Sequence, residues 1–323
     1  MSENGNLFVF YNPSAGGYYK NELQPIIEKW QSDHNWKVTT HVTEKYDDYS
    51  EVLKEQPLDS FDFIAASGGD GTVSLVMEAI HKLRLSLPLL IIPTGTGNLA
   101  AKNFNIPLAP LKSLDLLIEN SEIGSVDLMK VNGSYRMLNA GVGFNSRLMR
   151  DTTQDVKKRY GFLAYFLKVG EALKRTSQVN FLLKIDGEMT ETIRGADVFV
   201  ANAGLGLNMK PIKELLNPSD GVVSVFVTRP SSVSGLMGII RKAIKGEKRG
   251  IDIIRRYEFR KHLEVYPDKV MLVQSDGDII GTSPLKVELI PSAIQLVIPT
   301  RETAFPGFVS LKEYLAKLVN TST

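Results

Sequence analysis

Three short stretches of this chain carry residues suited to holding phosphate. Ser67-Gly68-Gly69-Asp70-Gly71-Thr72-Val73 follows the apolar run 61–66 and leads into Val73, Val76, Met77 and Ile80 at helical spacing. Glycines in a strand-to-helix turn let main-chain N–H groups approach a ligand closely, and the helix start that follows favours negative charge. Pro93-Thr94-Gly95-Thr96-Gly97-Asn98 repeats the arrangement after the apolar run 87–92. Asn12-Pro13-Ser14-Ala15-Gly16-Gly17, after the first strand-like run, offers a third turn with free main-chain donors. Two phosphate-type turns on successive strand–helix units, walled by a third, point to a nucleotide site.

Other chemistries fit less well. Gly95-Thr96-Gly97-Asn98-Leu99-Ala100 matches the G-x-G-x-x-A dinucleotide pattern, with Asp115 twenty residues on. That fingerprint should open a full crossover helix, with its acid ending the next strand. Here Pro107 and Pro110 cut the helix short, and Asp115 sits in a helical stripe with Leu111, Leu114, Leu117 and Ile118. A dehydrogenase is thereby disfavoured. No Gly-Lys pair occurs, so the P-loop is absent, and no G-x-S-x-G marks a serine hydrolase. His34, His41, His81 and His262 are scattered without metal-ligand spacing. With no cysteine in the chain, disulfides, thiolate metal sites and a cysteine nucleophile are all excluded.

The elements that must position these turns fall into two halves of the 323 residues, a length comfortable for two domains. Residues 1–125 alternate strand and helix patterns: strands over 7–11 and 36–41, helices around 22–30 and 49–55, then the two strand–turn–helix units. Such alternation predicts a parallel sheet covered on both faces, with ligands at the carboxyl ends of its strands. From 126 to 300 the pattern is mainly antiparallel β. Asn132-Gly133 and Asp186-Gly187 sit between apolar runs as hairpin turns. Further strands are expected at 221–228, 259–266, 269–274, 285–290 and 294–298, and an amphipathic helix at 157–175. A last helix over 307–319 closes the chain, and the segment 301–323 is a candidate to return to the first domain.

At 43% hydrophobic and 23% charged residues, with a net charge of +2, the chain reads as an ordinary globular protein without a nucleic-acid signature. No apolar run reaches the roughly 18 residues of a membrane span, and residues 1–6 carry no signal segment, so a cytoplasmic protein is expected. The local exception is 229–261, where ten Lys/Arg face only Glu247, Asp252 and Glu258. Within it, 236–245 joins apolar and basic residues as interfacial helices do.

Taken in order, Asn12-Pro13-Ser14-Ala15-Gly16, Gly68-Gly69-Asp70-Gly71-Thr72, Gly95-Thr96-Gly97-Asn98 and a late Asp276-Gly277 resemble the diacylglycerol kinase catalytic domain family, most closely its soluble bacterial lipid kinases. The likeness runs over nearly the whole chain. The Gly-Gly-Asp-Gly-Thr turn alone is shared with NAD kinases and phosphofructokinases; the order of all four motifs is more specific. The resemblance implies an NAD kinase-like α/β domain followed by a β-sandwich domain that supplies much of a lipid cavity. It implies ATP and Mg²⁺, with the γ-phosphoryl group passed to a lipid hydroxyl. Gly68, Gly69, Asp70, Gly71, Thr72, Val73 and Ser74 would line the nucleotide site with Asn12 to Gly16, Thr43, Thr94, Gly95, Thr96 and Asn98. Asp70 would lie near the catalytic magnesium with Asp127 as a nearby carboxylate, and Asp276 would take the substrate's proton. Asp220, with the carbonyls of Asn217 and Val222, matches a second, structural magnesium site. Peripheral contact with the inner face of a membrane through 229–261, and a homodimer, are further expectations.

The resemblance also has departures. Leu99 stands where relatives commonly carry Asp, and Asp278 replaces the usual Glu after Asp-Gly. Locally, Asp276-Gly277 reads first as a plain hairpin turn, Asp220-Gly221 reads equally as a turn or a metal site, and Asp70 also reads as a helix cap. Within the same fold, a sphingoid-base kinase, an NAD kinase, or a nucleotide- or lipid-binding regulator that has lost catalysis are the alternatives.

Overall fold

The computed structural model describes residues 4–15, 23–143, 178–203, 216–228 and 254–300. The expected helices at 157–175 and 307–319, the segment 236–245 and Gly16 lie outside the described residues.

The first half alternates as its pattern dictates. Its elements are β1 (Asn6–Tyr11), α1 (Leu23–His34), β2 (Lys37–Val42), α2 (Tyr49–Lys54), β3 (Phe63–Gly68), α3 (Asp70–Lys82), β4 (Leu89–Pro93), α4 (Leu99–Asn103) and α5 (Pro110–Leu114). The strands pair in parallel in the order β2-β1-β3-β4, and their buried runs (Leu7–Phe10, Ile64–Ala66, Leu89–Ile92) are covered by helices. α4 lasts only five residues, as the prolines beyond it require.

The rest is β: β5 (Ser121–Val131), β6 (Ser134–Arg136), β7 (Asn139–Gly143), β8 (Val179–Ile185), β9 (Met189–Gly195), β10 (Asp197–Ala201), β11 (Val223–Thr228), β12 (Ile254–Phe259), β13 (His262–Pro267), β14 (Leu272–Ser275), β15 (Asp278–Thr282) and β16 (Leu285–Pro299). Among the described residues they form two sheets. In one, β16 continues the parallel sheet beyond β4 and carries β13, β8 and β9 on its far side, with β5 and β6 off β16; the other has the order β12-β11-β10-β7-β14-β15. A second core, with Phe181, Leu183, Val198, Val225, Leu263 and Val273, lies between the antiparallel strands. All three hairpin turns read from the sequence adopt positive φ at both central residues: Asn132-Gly133, Asp186-Gly187 and Asp276-Gly277.

Two expectations are corrected. The strands at 285–290 and 294–298 are one strand, β16, kinked where its register with β5 shifts between Ile290 and Ile294. The strand at 259–266 is two strands in different sheets: β12 pairs with β11, and β13 with β8 and β16. The break is made by Asp186, whose carboxylate accepts the main-chain N–H groups of Arg260, Lys261 and His262 at 2.8–2.9 Å. Burial alone would raise the Asp186 carboxyl, but these three donors hold it below the usual range. A lowered folded-state pKa adds stability above the ordinary carboxylate range, lost as pH falls through the folded-state value. Asp186→Ala is therefore expected to cost about 1–3 kcal/mol at neutral pH. In thermal unfolding, the gap between wild type and variant should close on acidification, and a gap independent of pH would contradict this role.

Candidate active site

The parallel sheet delivers all three turns to one end. Tyr11 lies opposite Ser67 on β3, and Gly68 opposite Pro93 on β4, so the turns after β1, β3 and β4 emerge side by side. They are then tied to one another. The Asn12 side-chain amide donates to the Thr72 hydroxyl at 2.9 Å and its carbonyl accepts from the Ser14 N–H. Gly69 and Gly95 pack backbone to backbone: a Cβ on Gly95 would stand 2.4 Å from the Gly69 Cα. Asp70, in the first turn of α3, does not cap its own helix; its Oδ1 accepts from the Ala100 N–H of α4 at 2.8 Å. Asn98, in the left-handed region at φ 50°, closes the third turn by donating to the Gly95 carbonyl. The Thr94 hydroxyl, the Asn98 side-chain oxygen and the Ser67 hydroxyl are buried with no hydrogen-bond partner among the described residues. Such atoms at strand ends call for a polar ligand or water.

Across from the glycines stands Asp276. The Asp276-Gly277 turn joins β14 to β15, and its carboxylate accepts from the main-chain N–H groups of Met137, Leu138 and Asn139 and from the Ser74 hydroxyl of α3 at 2.8–3.3 Å. Asn139 in turn accepts from the Asp276 N–H and the Ser275 hydroxyl, and its side-chain oxygen from the buried Gln274 amide. The carboxyl thus bridges the two halves in a fixed orientation. Burial pushes it above the usual carboxylate range, against the pull of the Asn139 and Met137 N–H groups, the Arg136 guanidinium and the Ser74 hydroxyl. A cleft of about 410 Å³ separates it from the turns, lined by Asn12, Ala15, Gly69, Gly71, Thr72, Ser74, Gly95 and Thr96 on one side and Arg136, Asp276 and Asp278 on the other.

The remaining expected residues sit elsewhere. Thr43 is buried at the end of β2, where its side chain bonds to Tyr49. Pro13, Ser14, Gly68, Val73, Thr94 and Asn98 belong to the same turns but are not part of the cleft lining. Asp127, Asn217, Asp220 and Val222 form a separate cluster away from that lining. Asp127 accepts from the Gly221 N–H and, across β16, the Ser292 N–H at 2.8 and 2.7 Å, while Asp220 closes its own turn onto the Val222 N–H. Asp127 is thus a clamp between that turn and the β16 kink. Leu99 packs its side chain against the core of the parallel sheet. In the basic segment, Arg255 and Arg256 of β12 are paired with Glu191 and Glu258.

The pattern hid two cations. Arg136 lies on a hairpin strand whose periodicity gave no hint of a cleft, and Lys102 lies on the short α4, where a lysine reads as a solvated end. Burial lowers the Lys102 ammonium below the usual lysine range, against the pull of the Asp70 carboxylate.

The set fits a magnesium nucleotide. Mg²⁺ at such sites uses one or two carboxylates, the phosphates and water. Asp70 Oδ1 is engaged by Ala100, while Oδ2 faces Gly97, where a Cβ would stand 3.0 Å away. Among the described residues no group of three or more His, Cys, Asp or Glu forms a metal cage, so the fit rests on Asp70 with ligand phosphates.

Comparison with known proteins gives the same outline. The family described as diacylglycerol kinase catalytic domain matches residues 6–131, and the YegS C-terminal NAD kinase beta sandwich-like domain matches residues 139–298. A diacylglycerol kinase of Bacillus subtilis (strain 168) is 28% identical over 294 residues, covering 90% of this chain and 95% of that one. A solved diacylglycerol kinase from Bacillus anthracis str. Sterne shares the fold at TM-score 0.66 and 18% identity, covering 92% of this chain and 98% of that chain. A second chain from that organism superposes at TM-score 0.74 and 19% identity, covering 96% and 100%. The α/β-then-β-sandwich architecture read from the sequence is the one observed. No helix among the described residues is long and apolar enough to cross a membrane.

Proposed function

Because residues 6–131 match the diacylglycerol kinase catalytic domain and residues 139–298 the YegS C-terminal domain, we propose that the chain is a lipid kinase that uses ATP to phosphorylate a lipid hydroxyl, with diacylglycerol as the preferred acceptor. The observation that carries this is Asp276, a carboxylate fixed by four donors and facing the turns after β1, β3 and β4 across a cleft.

The roles follow from the geometry. Main-chain N–H groups of the turns at Gly69, Gly71 and Gly95 bind the phosphates, as oriented donors at helix starts do. Asp70 would hold Mg²⁺, which would supply neutralisation of the phosphate charge when bound. Asp276 orients the acceptor hydroxyl and takes its proton as the oxygen–phosphorus bond forms. In a loose transition state that proton leaves late, so a carboxylate serves without a pKa near neutrality. Ser74 and Asn139 hold the carboxylate still, which matters because phosphoryl transfer is mostly positioning.

The acceptor class is tested by offering diacylglycerol, monoacylglycerol, phosphatidylglycerol, ceramide and sphingosine in mixed micelles with Mg²⁺ and γ-labelled ATP. Preferential labelling of diacylglycerol is expected. Preferential labelling of sphingosine would transfer the assignment to a sphingoid-base kinase, and ATP binding with no lipid labelled would indicate a binding protein.

A further inference from the structure

Arg136 is the cation on the acceptor side of the cleft, and neither the family motifs nor the roles above use it. Its position is set by strand alternation. Tyr135, one residue before it on β6, packs on His81 of α3 at 5.1 Å between ring centroids and lies under the Lys130 ammonium. The next residue along a strand points to the opposite face, and for Arg136 that face is the cleft, beside Asp276 and Asp278 and across from Gly69, Gly71 and Gly95. The guanidinium spends one N–H on the Tyr135 carbonyl at 2.8 Å, which fixes its stem. Among the described residues no carboxylate lies within ion-pair distance of it, so most of its five-donor fork is free.

We propose that Arg136 is a catalytic residue that grips the transferring γ-phosphoryl group by its equatorial oxygens. The inference rests on the lipid-kinase reading. In the step itself the acceptor hydroxyl oxygen bonds to the γ-phosphorus and the bond from phosphorus to the β–γ bridging oxygen breaks. ADP leaves with that electron pair and the hydroxyl proton passes to Asp276. Charge shifts across the phosphoryl oxygens as this happens, and a planar fork meets them two at a time, which a lysine cannot do. The phosphoryl group must lie between the turns that hold the nucleotide and the base that holds the acceptor, and Arg136 borders that gap. Its charge also favours ionised Asp276, the form that can accept the proton.

The test compares ATP with ADP in competition against a fluorescent nucleotide, with no lipid present, for wild type, Arg136→Ala and Arg136→Lys. A γ-phosphoryl contact predicts that Arg136→Ala weakens ATP by about tenfold or more and leaves ADP unchanged, with Arg136→Lys between. In transfer assays kcat should fall roughly 10²–10³-fold, as for loss of one transition-state donor. Equal effects on ATP and ADP, or no effect on either, would overturn the proposal. So would a raised KM for lipid with ATP affinity and kcat intact, which would make Arg136 a headgroup contact. Because the nucleotide comparison needs no acceptor, it decides the role of Arg136 even if every lipid tested proves inert.

Discussion

Asp276→Asn is expected to lower phosphoryl transfer by about 10²–10⁴-fold, the usual contribution of a positioned general base, while leaving ATP affinity within a few-fold of wild type. The amide keeps the size of the side chain and its oxygen can still accept from the Leu138 and Asn139 N–H groups, while the NH2 in place of Oδ2 can donate to the Ser74 hydroxyl but leaves the Met137 N–H without its acceptor. Proton acceptance is removed together with that one acceptor. The acid limb of the pH profile gives an independent check. Burial holds the Asp276 carboxyl above the ordinary value, so wild-type transfer should fall on acidification with a midpoint above that of an ordinary carboxylate, and the limb should vanish in the variant. The linkage runs opposite to that of Asp186: a raised folded-state pKa means that ionised Asp276 costs stability above that pKa. Because only the ionised wild type carries that cost, the stability gap between wild type and Asp276→Asn should be smaller at neutral pH than at acid pH. A variant that retains full turnover would show that another group takes the proton.

Gly95→Ala is the second large effect. The added methyl would sit 2.4 Å from the Gly69 Cα and 3.0 Å from its nitrogen, and backbone cannot swing aside as a side chain can. The turns after β3 and β4 must separate, which breaks the alignment of their N–H groups on a shared ligand. An overpacking cost of about 1–3 kcal/mol corresponds to roughly 5–150-fold weaker nucleotide binding if it falls on the bound state. Calorimetric titration with ATP measures the loss, and wild-type affinity in Gly95→Ala would mean that the packing of Gly69 on Gly95 does not matter.

Much of this architecture is legible in the residues because local chemistry dictates it. Asn132-Gly133, Asp186-Gly187 and Asp276-Gly277 tolerate positive φ at both positions where most pairs do not, and each makes its hairpin. The turns at Gly69 and Gly95 follow buried parallel strands and necessarily open at the carboxyl end of the sheet. What pattern cannot reveal is set by groups remote in sequence. An unbroken strand-like run at 259–266 divides between two sheets because Asp186, more than seventy residues earlier, takes its turn N–H groups. Two apparent strands fuse as β16, whose kink is held by Asp127. That carboxylate reads in sequence as a companion of the catalytic metal, but both its oxygens are taken by main-chain N–H groups. Arg136 is silent for the same reason: its importance comes from the cleft assembled around it, not from its neighbours along the strand.

The most direct test is to follow where the label of γ-labelled ATP goes when protein, Mg²⁺ and diacylglycerol micelles are mixed, with wild type and Asp276→Asn side by side. Label appearing in an organic-extractable lipid phosphate with wild type, and falling at least a hundredfold with Asp276→Asn, is the predicted result. Label that stays on ATP, or reaches only inorganic phosphate at a rate indifferent to lipid, would contradict a lipid kinase acting through Asp276.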